Sequence, residues 1–470
     1  MSEAKIGLIG LGTMGAALAL NIAEKGFPVA VWNRTAAVTR RFHAEAGDLA
    51  PRIVPAETLA DLVAAIAPPR AIILMVPAGP AVDEQIAALA PLLGPEDLIV
   101  DAGNADFHDT DRRATAGLPM RFLGMGVSGG EEGARHGPSI MVGGLESSWD
   151  RVKDVLLAIS AKANGEPCAA WLGLDGAGHF VKTIHNGIEY ADMEMIAEIY
   201  GVLRDGLGMS APEMGEIFAK WNEGALNSYL IEISAAVLKA TDPKTGKPMV
   251  DVIQDKAGQK GTGKWSAIEA QKLGISATGI EAAVAARVIS SMKGEREAAA
   301  KVYGAPEKPA APKDRDAFLR DLELALLAGK IAAYAQGFAV MEAASKAYGW
   351  NLPLPTIAQI WREGCIIRSQ FLGQITDAFS GGSLDNLLMA PAFVKLMKEA
   401  APSLRRVVAY TAENGLPVPA LSAALAYFDG YRQARGTANL IQGQRDFFGA
   451  HGFERIGETG AFHGPWGSHG

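Results

Sequence analysis

The sequence predicts an α/β N-terminal domain followed by a large all-α domain with internal duplication and a C-terminal tail. Up to Trp171, short apolar runs of strand length alternate with helical stretches, which is typical of a doubly wound, mostly parallel sheet. Beyond that point the apolar residues follow helical periodicity with almost no strand signal. The last residues are rich in glycine and histidine. We therefore expect domains at residues 1–176 and 177–433, with a tail at 434–470.

Composition and charge describe a globular protein. The chain has 470 residues, 49% of them hydrophobic and 20% charged, which is too long for one ordinary core and too apolar for a disordered chain. The net charge of −8 gives no basic field for nucleic acid or a membrane surface, so neither partner is expected. The two cysteines are too few for a disulfide scaffold or a cysteine-rich metal site. Because no targeting segment and no apolar run of ~20 residues is seen, we expect a cytoplasmic protein.

The first predicted strand, residues 6–9, runs into a glycine-rich turn and then a helical stretch. In the spacing Gly-x-Gly-x-x-Gly, Gly10 permits the tight turn, Gly12 lets a pyrophosphate approach the backbone, and Gly15 lets the helix pack closely. The phosphates would lie at the helix N-terminus, where free N–H groups and the helix dipole favour anions. This context predicts a Rossmann-like dinucleotide site, formed by Gly10, Leu11, Gly12, Thr13, Met14 and Gly15.

The end of the second strand, residues 29–32, indicates which dinucleotide is bound. Asn33, Arg34 and Thr35 follow it. An NAD-binding domain usually has an acidic residue there, which hydrogen-bonds the ribose 2′-OH. Because that acid is missing, Arg34 can pair with a 2′-phosphate, with hydrogen bonds from its two neighbours. We therefore expect NADP.

Further strands are predicted at 71–76, 98–101, 122–127 and 139–142. Ligands of such sheets bind beyond the carboxyl ends of the strands. Three candidate loops follow strands there: Val76, Pro77 and Ala78; Gly103, Asn104 and Ala105; and Ser128, Gly129 and Gly130. The last loop is glycine-rich and can offer backbone N–H groups to ligand oxygens, although a flexible connector has the same composition.

The strongest chemical signal lies on one long helix, predicted over about residues 177–200. Offsets of three, four and seven residues return to one helical face, so Lys182, His185, Asn186 and Glu189 form a polar stripe. The rest of this helix is apolar and is expected to be buried. Polar groups on a buried helix need partners or a function.

A repeated sequence motif indicates duplication of the helical domain. Trp-Asn-Glu-Gly at 221–224 recurs as Trp-Arg-Glu-Gly at 361–364, and Asn-Gly at 186–187 aligns with Gln-Gly at 336–337. The second copy reads Ile-Ala-Ala-Tyr-Ala at 331–335, where the first has the polar stripe. The scaffold therefore repeats and the stripe does not, which favours a functional role for the stripe.

Two basic features lie between the repeats. Residues 258–264 satisfy Gly-x-x-x-x-Gly-Lys, but Trp265 replaces the Ser or Thr that would hold Mg²⁺. We predict a loop that grips a phosphate or sugar oxygens, with Lys260 reaching in, rather than a nucleoside triphosphate site. Arg287 is a single arginine in an apolar run, which fits a ligand contact and a salt-bridged core arginine equally well.

In order along essentially the whole chain, these motifs resemble the decarboxylating 6-phosphogluconate dehydrogenase family. Besides the first glycine turn, the matching segments are 33–35, 103–104, 128–135, 182–190, 254–265 and 445–451. The resemblance implies metal-free oxidation of 6-phospho-D-gluconate with NADP to ribulose 5-phosphate and CO₂. That is the reaction of the pentose phosphate pathway and of gluconate utilization. It also implies a homodimer.

The resemblance further implies roles for individual residues. Lys182 matches the general base that takes the C3 hydroxyl proton as hydride passes to the nicotinamide, and that later acts as an acid. Glu189 matches the acid that protonates C1 of the enediol. The sugar acid would be held by Asn104, Ser128, Gly129, Gly130, His185 and Asn186. The phosphate end would be held by Tyr190, Lys260, Arg287 and, from a second subunit, Arg445 and His451. The cofactor would also contact Val76, Pro77, Ala78 and Asn104.

Two positions in the cofactor half depart from the family pattern. Pro77 stands where lysine is common, and Ala105 where serine or glutamate is usual. Both changes weaken the expected preference for NADP and leave the decarboxylation chemistry untouched. Two alternatives remain: a non-decarboxylating β-hydroxyacid dehydrogenase, which would lack the duplicated helical domain, and a catalytically dead cofactor-binding sensor. Intact Lys182 and Glu189 argue against the sensor.

Overall fold

A computed structural model describes residues 3–259, 261–304, 309–382 and 384–466. Its first part is an eight-stranded sheet with strand order β10-β7-β6-β5-β4-β1-β2-β3, and β8 and β9 form a separate hairpin. Neighbouring strands of the large sheet are parallel except for β6 and β7, which are antiparallel. The strands are β1 (Ile6–Ile9), β2 (Val29–Trp32), β3 (Ile53–Pro55), β4 (Ala71–Leu74), β5 (Leu98–Asp101), β6 (Arg121–Ser128), β7 (Ser139–Gly144), β8 (Lys162–Ala163), β9 (Glu166–Pro167) and β10 (Ala169–Gly173).

Helices cover both faces of this sheet. Along β1 and β2, Leu8 and Val31 belong to one buried cluster, whereas Ile9 and Ala30 belong to another. Because successive strand residues point to opposite faces, each face has its own core. The helices of this part are α1 (Thr13–Glu24), α2 (Ala36–Glu45), α3 (Leu59–Ala65), α4 (Pro80–Leu89), α5 (Phe107–Ala114), α6 (Gly130–His136), α7 (Glu146–Trp149) and α8 (Lys153–Ile159).

The second part is helical and contains two related long helices, α9 and α16, that pack on each other. Trp221 and Trp361, the repeated tryptophans, are both buried at a helix end, and the related Ser228 and Ser369 form an antiparallel bridge. These features support duplication. The helices are α9 (Ala177–Gly201), α10 (Ala211–Trp221), α11 (Tyr229–Lys239), α12 (Met249–Val252), α13 (Thr262–Lys272), α14 (Thr278–Ser291), α15 (Lys293–Tyr303), α16 (Arg315–Tyr348), α17 (Leu354–Ile360), α18 (Leu372–Ser380), α19 (Pro391–Glu413), α20 (Pro419–Tyr431) and α21 (Ala438–Gly449).

Among the described residues, α16 is the helix that is long and apolar enough to cross a membrane, with a mean hydropathy of 1.5. Within this fold, however, 89% of that apolar window is buried. The core helix of a globular protein has the same properties, so α16 is weak evidence for a membrane span.

The chain divides into two compact units, residues 1–424 and 425–470. The second unit is organised around the buried carboxylate of Asp446. It accepts hydrogen bonds from the backbone N–H groups of Gly452 and Gly464, from His463 Nδ1 and from Trp466 Nε1, over distances of 2.6–2.9 Å. These donors hold the pKa of Asp446 well below its usual range, and the Gly464 N–H has the largest effect. Burial acts in the opposite direction. The end of the chain therefore has its own polar core.

Candidate active site

Helix α9 lies close against β6 because glycines leave room for it. A Cβ on Gly124 would lie 2.8 Å from the His179 ring, and one on Gly126 would lie 2.5 Å from Cβ of Lys182. Gly124 and Gly126 are two residues apart on β6 and face the same side. The stem of Lys182 is thereby fixed next to the carboxyl end of β6, where ligands of such sheets bind.

The Lys182 amine is buried in a chain of polar groups. Its Nζ lies 3.3 Å from His185 Nδ1, and His185 Nε2 lies 3.2 Å from Ser128 Oγ at the end of β6. Burial lowers the pKa of Lys182 from its usual 10.5, and the charge of Glu189 opposes this only in part. Burial, and then the charge of Lys182, lower the pKa of His185 well below 6.5. A neutral histidine therefore accompanies an amine that loses its proton more readily than an exposed lysine.

Glu189 and Asn186 complete the polar stripe. Asn186 Nδ2 donates a hydrogen bond to Glu189 Oε2 over 3.0 Å, and the same oxygen lies 3.8 Å from His185 Nδ1. Asn186 Oδ1 is buried and has no hydrogen-bond partner among the described residues. A buried acceptor without a partner is costly, so this oxygen marks a place for a ligand donor. The side chains of the stripe thus converge, as the helical spacing predicts.

A cationic corner is built from three helices. The guanidinium carbon of Arg287, on α14, lies 3.5 Å from the centroid of the Tyr190 ring, on α9. Arg287 Nη1 also donates to the carbonyl of Gly258, the residue that begins the predicted basic loop. Gly263, on α13, has no room for a Cβ because the Tyr190 ring lies against it. Arg287 is half-buried and stacks on an aromatic ring, which favours the ligand contact over a core arginine.

These side chains line one cavity of about 580 Å³. Its wall includes the predicted residues Met14, Asn104, Ser128, Gly129, Gly130, Lys182, Asn186, Glu189, Tyr190 and Arg287. His185 lies behind this wall and contacts Lys182 and Ser128. The structure therefore brings the cofactor turn and the polar stripe to one place.

Of the residues predicted for the phosphate end, Tyr190 and Arg287 are the ones that line this cavity in the described part of the chain. Lys260 lies outside the described residues. Arg445 and His451 belong to the second compact unit. There, Arg445 donates to Gln442 Oε1 over 2.9 Å, and His451 lines a separate cavity of about 740 Å³.

The glycine turn fits a dinucleotide. Gly10 has φ +98°, and a Cβ there would collide with the Met75 carbonyl; a Cβ on Gly15 would collide with the Gly10 carbonyl. A Cβ on Gly12 would meet nothing within 4 Å. Packing thus explains Gly10 and Gly15, whereas the space beside Gly12 is open at the N-terminus of α1, where a pyrophosphate would bind.

The residues after β2 have different roles at the cofactor end of the site. Asn33 Oδ1 accepts the N–H of Leu11 over 3.0 Å, so its side chain holds the glycine turn. Arg34 and Thr35 are exposed beside it, as a 2′-phosphate site requires. Pro77 is exposed on the neighbouring loop and offers no charge there.

Comparison with known proteins agrees with this geometry. Residues 5–173 match the family model for the NAD binding domain of 6-phosphogluconate dehydrogenase, and residues 178–466 match the model for its C-terminal domain. The chain belongs to the 6-phosphogluconate dehydrogenase family. The predicted family and fold class are therefore confirmed.

Similar members of the 6-phosphogluconate dehydrogenase family span the whole chain. The NADP(+)-dependent, decarboxylating enzyme of Bacillus subtilis (strain 168) is 48% identical over 469 residues, covering 99% of this chain and 100% of that protein. The decarboxylating enzyme of Drosophila melanogaster is 48% identical over 465 residues, covering 98% and 96%. A solved structure of Plasmodium falciparum 6-phosphogluconate dehydrogenase has a TM-score of 0.95 and 40% identity, covering 98% of this chain and 100% of that one.

The candidate site also uses residues that the sequence pattern does not predict. The Trp361 ring packs edge-on against His185, with ring centroids 5.4 Å apart. The Gly364 carbonyl accepts the N–H of Ser139, and a Cβ on Gly129 would lie 2.6 Å from that oxygen. The second copy of the Trp-x-Glu-Gly motif thus supports the site from behind. The repeated motif is the sequence signal for this support, although the repeat by itself predicts only a scaffold.

Proposed function

We propose that this protein catalyses the oxidative decarboxylation of 6-phospho-D-gluconate to D-ribulose 5-phosphate and CO₂, with reduction of NADP to NADPH. The observation that carries the proposal is the cavity in which a lysine of lowered pKa and a carboxylate face the cofactor turn. The names of full-length relatives at 48% identity support the same reaction and the same cofactor.

The residues would act in sequence. The glycine turn at the N-terminus of α1 would hold NADP, which would supply the hydride acceptor for C3 of the sugar acid. Lys182 would take the C3 hydroxyl proton, since its lowered pKa suits a general base. The charged amine would then return a proton to the C3 oxygen as CO₂ leaves, because the ketone accepts the electrons of the breaking C–C bond. Glu189 would protonate C1 of the enediol.

Binding and orientation would fall to the remaining residues of the cavity. The unpartnered Oδ1 of Asn186 would accept a sugar hydroxyl, and Ser128, Gly129 and Gly130 would hold the carboxyl end. Arg287 and Tyr190 would hold the phosphate end, together with Lys260. These cationic side chains would attract the negatively charged substrate locally, although the protein as a whole is acidic.

A homodimer working in the cytoplasm is part of the proposal. Arg445 and His451 would reach the phosphate end from the second subunit, which their place in a separate compact unit supports. The domain limits after residues 176 and 433 are proposed as well. The first is supported by the end of β10 at Gly173 and the start of α9 at Ala177.

A steady-state assay tests this function against its alternatives. Wild-type protein with 6-phosphogluconate and NADP should release CO₂ and form NADPH in equal amounts. A non-decarboxylating dehydrogenase would form NADPH without CO₂, and a binding sensor would bind both ligands and form neither product. Either outcome would overturn the proposal.

A further inference from the structure

Helix α5 joins the two halves of the active site. It begins at Phe107, directly after the cofactor loop that contains Asn104, and is tied to the start of α9. Thr110 Oγ1 lies 2.7 Å from His179 Nδ1, and Asp111 Oδ1 accepts the N–H of Gly176 over 2.6 Å. The helix that follows the cofactor loop is therefore in direct contact with the start of the helix that carries Lys182.

A buried carboxylate ties α5 to a third helix, α13. Glu269 Oε1 lies 3.1 Å from Nε2 of His108, on α5, and accepts a hydrogen bond from Lys272 Nζ over 2.7 Å. The other oxygen, Oε2, accepts the hydroxyl of Tyr348, at the end of α16, over 3.2 Å. The Glu269 side chain is 4% exposed, and the donors Lys272 and Tyr348 satisfy one oxygen each, which makes its burial tolerable. His108 Nε2 lies near both Glu269 and Lys272 Nζ, 3.2 Å from the latter.

Helix α13 also reaches the active-site cavity. The helix begins at Thr262, which lines the active-site cavity together with Gly258 and Gln259 of the basic loop. Glu269 lies two turns further along the same rigid helix. One carboxylate thus connects the helix that follows the cofactor loop with the helix that follows the phosphate-end loop.

We propose that Glu269 is a positioning residue that couples cofactor binding to substrate binding. The inference rests on the proposed function, because it assumes that NADP and 6-phosphogluconate occupy the two ends of the cavity. Ligand at either end would restrict its own loop and helix, and the Glu269–His108 contact would pass that restriction to the other end. Such coupling is a free energy shared by the two sites and is reciprocal.

The test measures NADPH binding with and without 6-phosphogluconate, a pair that cannot react with each other. In wild-type protein the dissociation constant of NADPH should change by about fivefold or more when 6-phosphogluconate is present. In Glu269→Gln the ratio of the NADPH dissociation constants with and without 6-phosphogluconate should be close to one. The KM values should rise more than kcat falls. Glu295→Gln, an exposed change on α15, should keep the wild-type ratio.

His108→Ala is the second variant, because His108 is about half exposed and Glu269 keeps its hydrogen bonds from Lys272 and Tyr348 without it. It should lose the coupling while keeping the melting temperature of the wild type. A wild-type ratio in both variants, or a ratio near one in wild-type protein, would overturn the inference. Failure of the proposed function is distinguishable, since wild-type protein would then form no NADPH from 6-phosphogluconate.

Discussion

Lys182 and Lys330 are both buried lysines, and they differ in the partner that faces each amine. Lys330 Nζ lies 2.6 Å from Asp192 Oδ1, in an ion pair between α16 and α9. The near neighbour of Lys182 is His185, whose pKa is far too low for it to carry charge at neutral pH. Burial beside a neutral ring lowers the pKa of Lys182, so this amine loses its proton more readily than an exposed lysine, as a general base requires.

Replacing Lys182 tests its role directly. Lys182→Ala should lower kcat by ~10²–10⁴, because a well-placed general base contributes about that much. Binding of 6-phosphogluconate, measured by calorimetry, should persist, since Asn186, Ser128 and Arg287 remain. Lys220→Ala, an exposed change on α10, is the matched control. Wild-type turnover in Lys182→Ala would show that the base is elsewhere.

The same residue sets the pH dependence. Lys182 must be neutral to accept a proton, so kcat/KM should rise with pH through its pKa. Because burial lowers that pKa, the midpoint should lie below the ordinary 10.5. His185 should add no second limb above pH 6.5, since its pKa is lower still. A profile that is flat from acid to alkaline pH would contradict this assignment.

At this scale the sequence predicts residues on one element well and residues from distant elements poorly. The polar stripe follows from helical spacing alone. The stacking of Arg287 on Tyr190 and the edge-on contact of Trp361 with His185 do not, because they depend on how α14 and the segment after α17 pack on α9. Local periodicity contains no information about such packing.

At the scale of elements, the close crossing of α9 and α13 positions the loop at the phosphate end. A Cβ on Gly187, in α9, would collide with the Ser266 side chain of α13. Gly187→Ala should therefore push α13 away and destabilise the protein by ~1–3 kcal/mol, the usual cost of overpacking. The KM for 6-phosphogluconate should rise as well, because Thr262 begins the displaced helix.

Gly201→Ala is the matched control for that substitution. Gly201 lies on the same helix, and a Cβ there would meet nothing within 4 Å. Its melting temperature should equal or exceed that of the wild type, since alanine restricts the unfolded chain more than glycine does. Equal effects at both positions would refute the close-crossing argument.

Helix α20 has a titratable cap. Glu198, on α9, accepts the N–H groups of Ala420 and Leu421 over 2.6 and 2.9 Å. Burial raises its pKa to about 8, and these N–H groups offset burial only in part. The folded state thus holds this proton more tightly than the unfolded state, so stability from this group is present at low pH and is lost as pH rises through about 8.

Glu198→Gln should therefore flatten the fall of melting temperature between about pH 5 and pH 8. Thermal melts across that range, for wild type and variant, measure the slope. Glu216→Gln, an exposed change on α10, should leave the slope as it is in the wild type. An unchanged slope in Glu198→Gln would mean that the carboxyl is ionised throughout.

The sequence also predicts the sheet unevenly. Its four-residue apolar strands, such as β1 and β5, are where the pattern places them. The pattern does not predict the strands β3 and β10, because three residues that end in a proline, or a strand that begins with two alanines, give little signal. The antiparallel direction of β7 was missed too, since strand direction depends on the connection and not on composition.

At the scale of the whole molecule, the proposed homodimer would build each site from two chains. Lys182→Ala and Arg445→Ala are each expected to be inactive or weak alone. After unfolding and refolding together, random pairing should restore about a quarter of wild-type activity, because half the dimers are mixed and each mixed dimer has one intact site. No recovery would place both residues in one chain's site.

Helix α16 has a consequence for how this protein is made. Its 34 residues, apolar enough to pass for a membrane segment, are covered chiefly by α9 and α19. When α16 leaves the ribosome, α9 has already emerged, while α19 is still to come. The face of α16 that α19 covers is therefore exposed to solvent during synthesis. In that interval the nascent chain is most prone to aggregate and most in need of a chaperone.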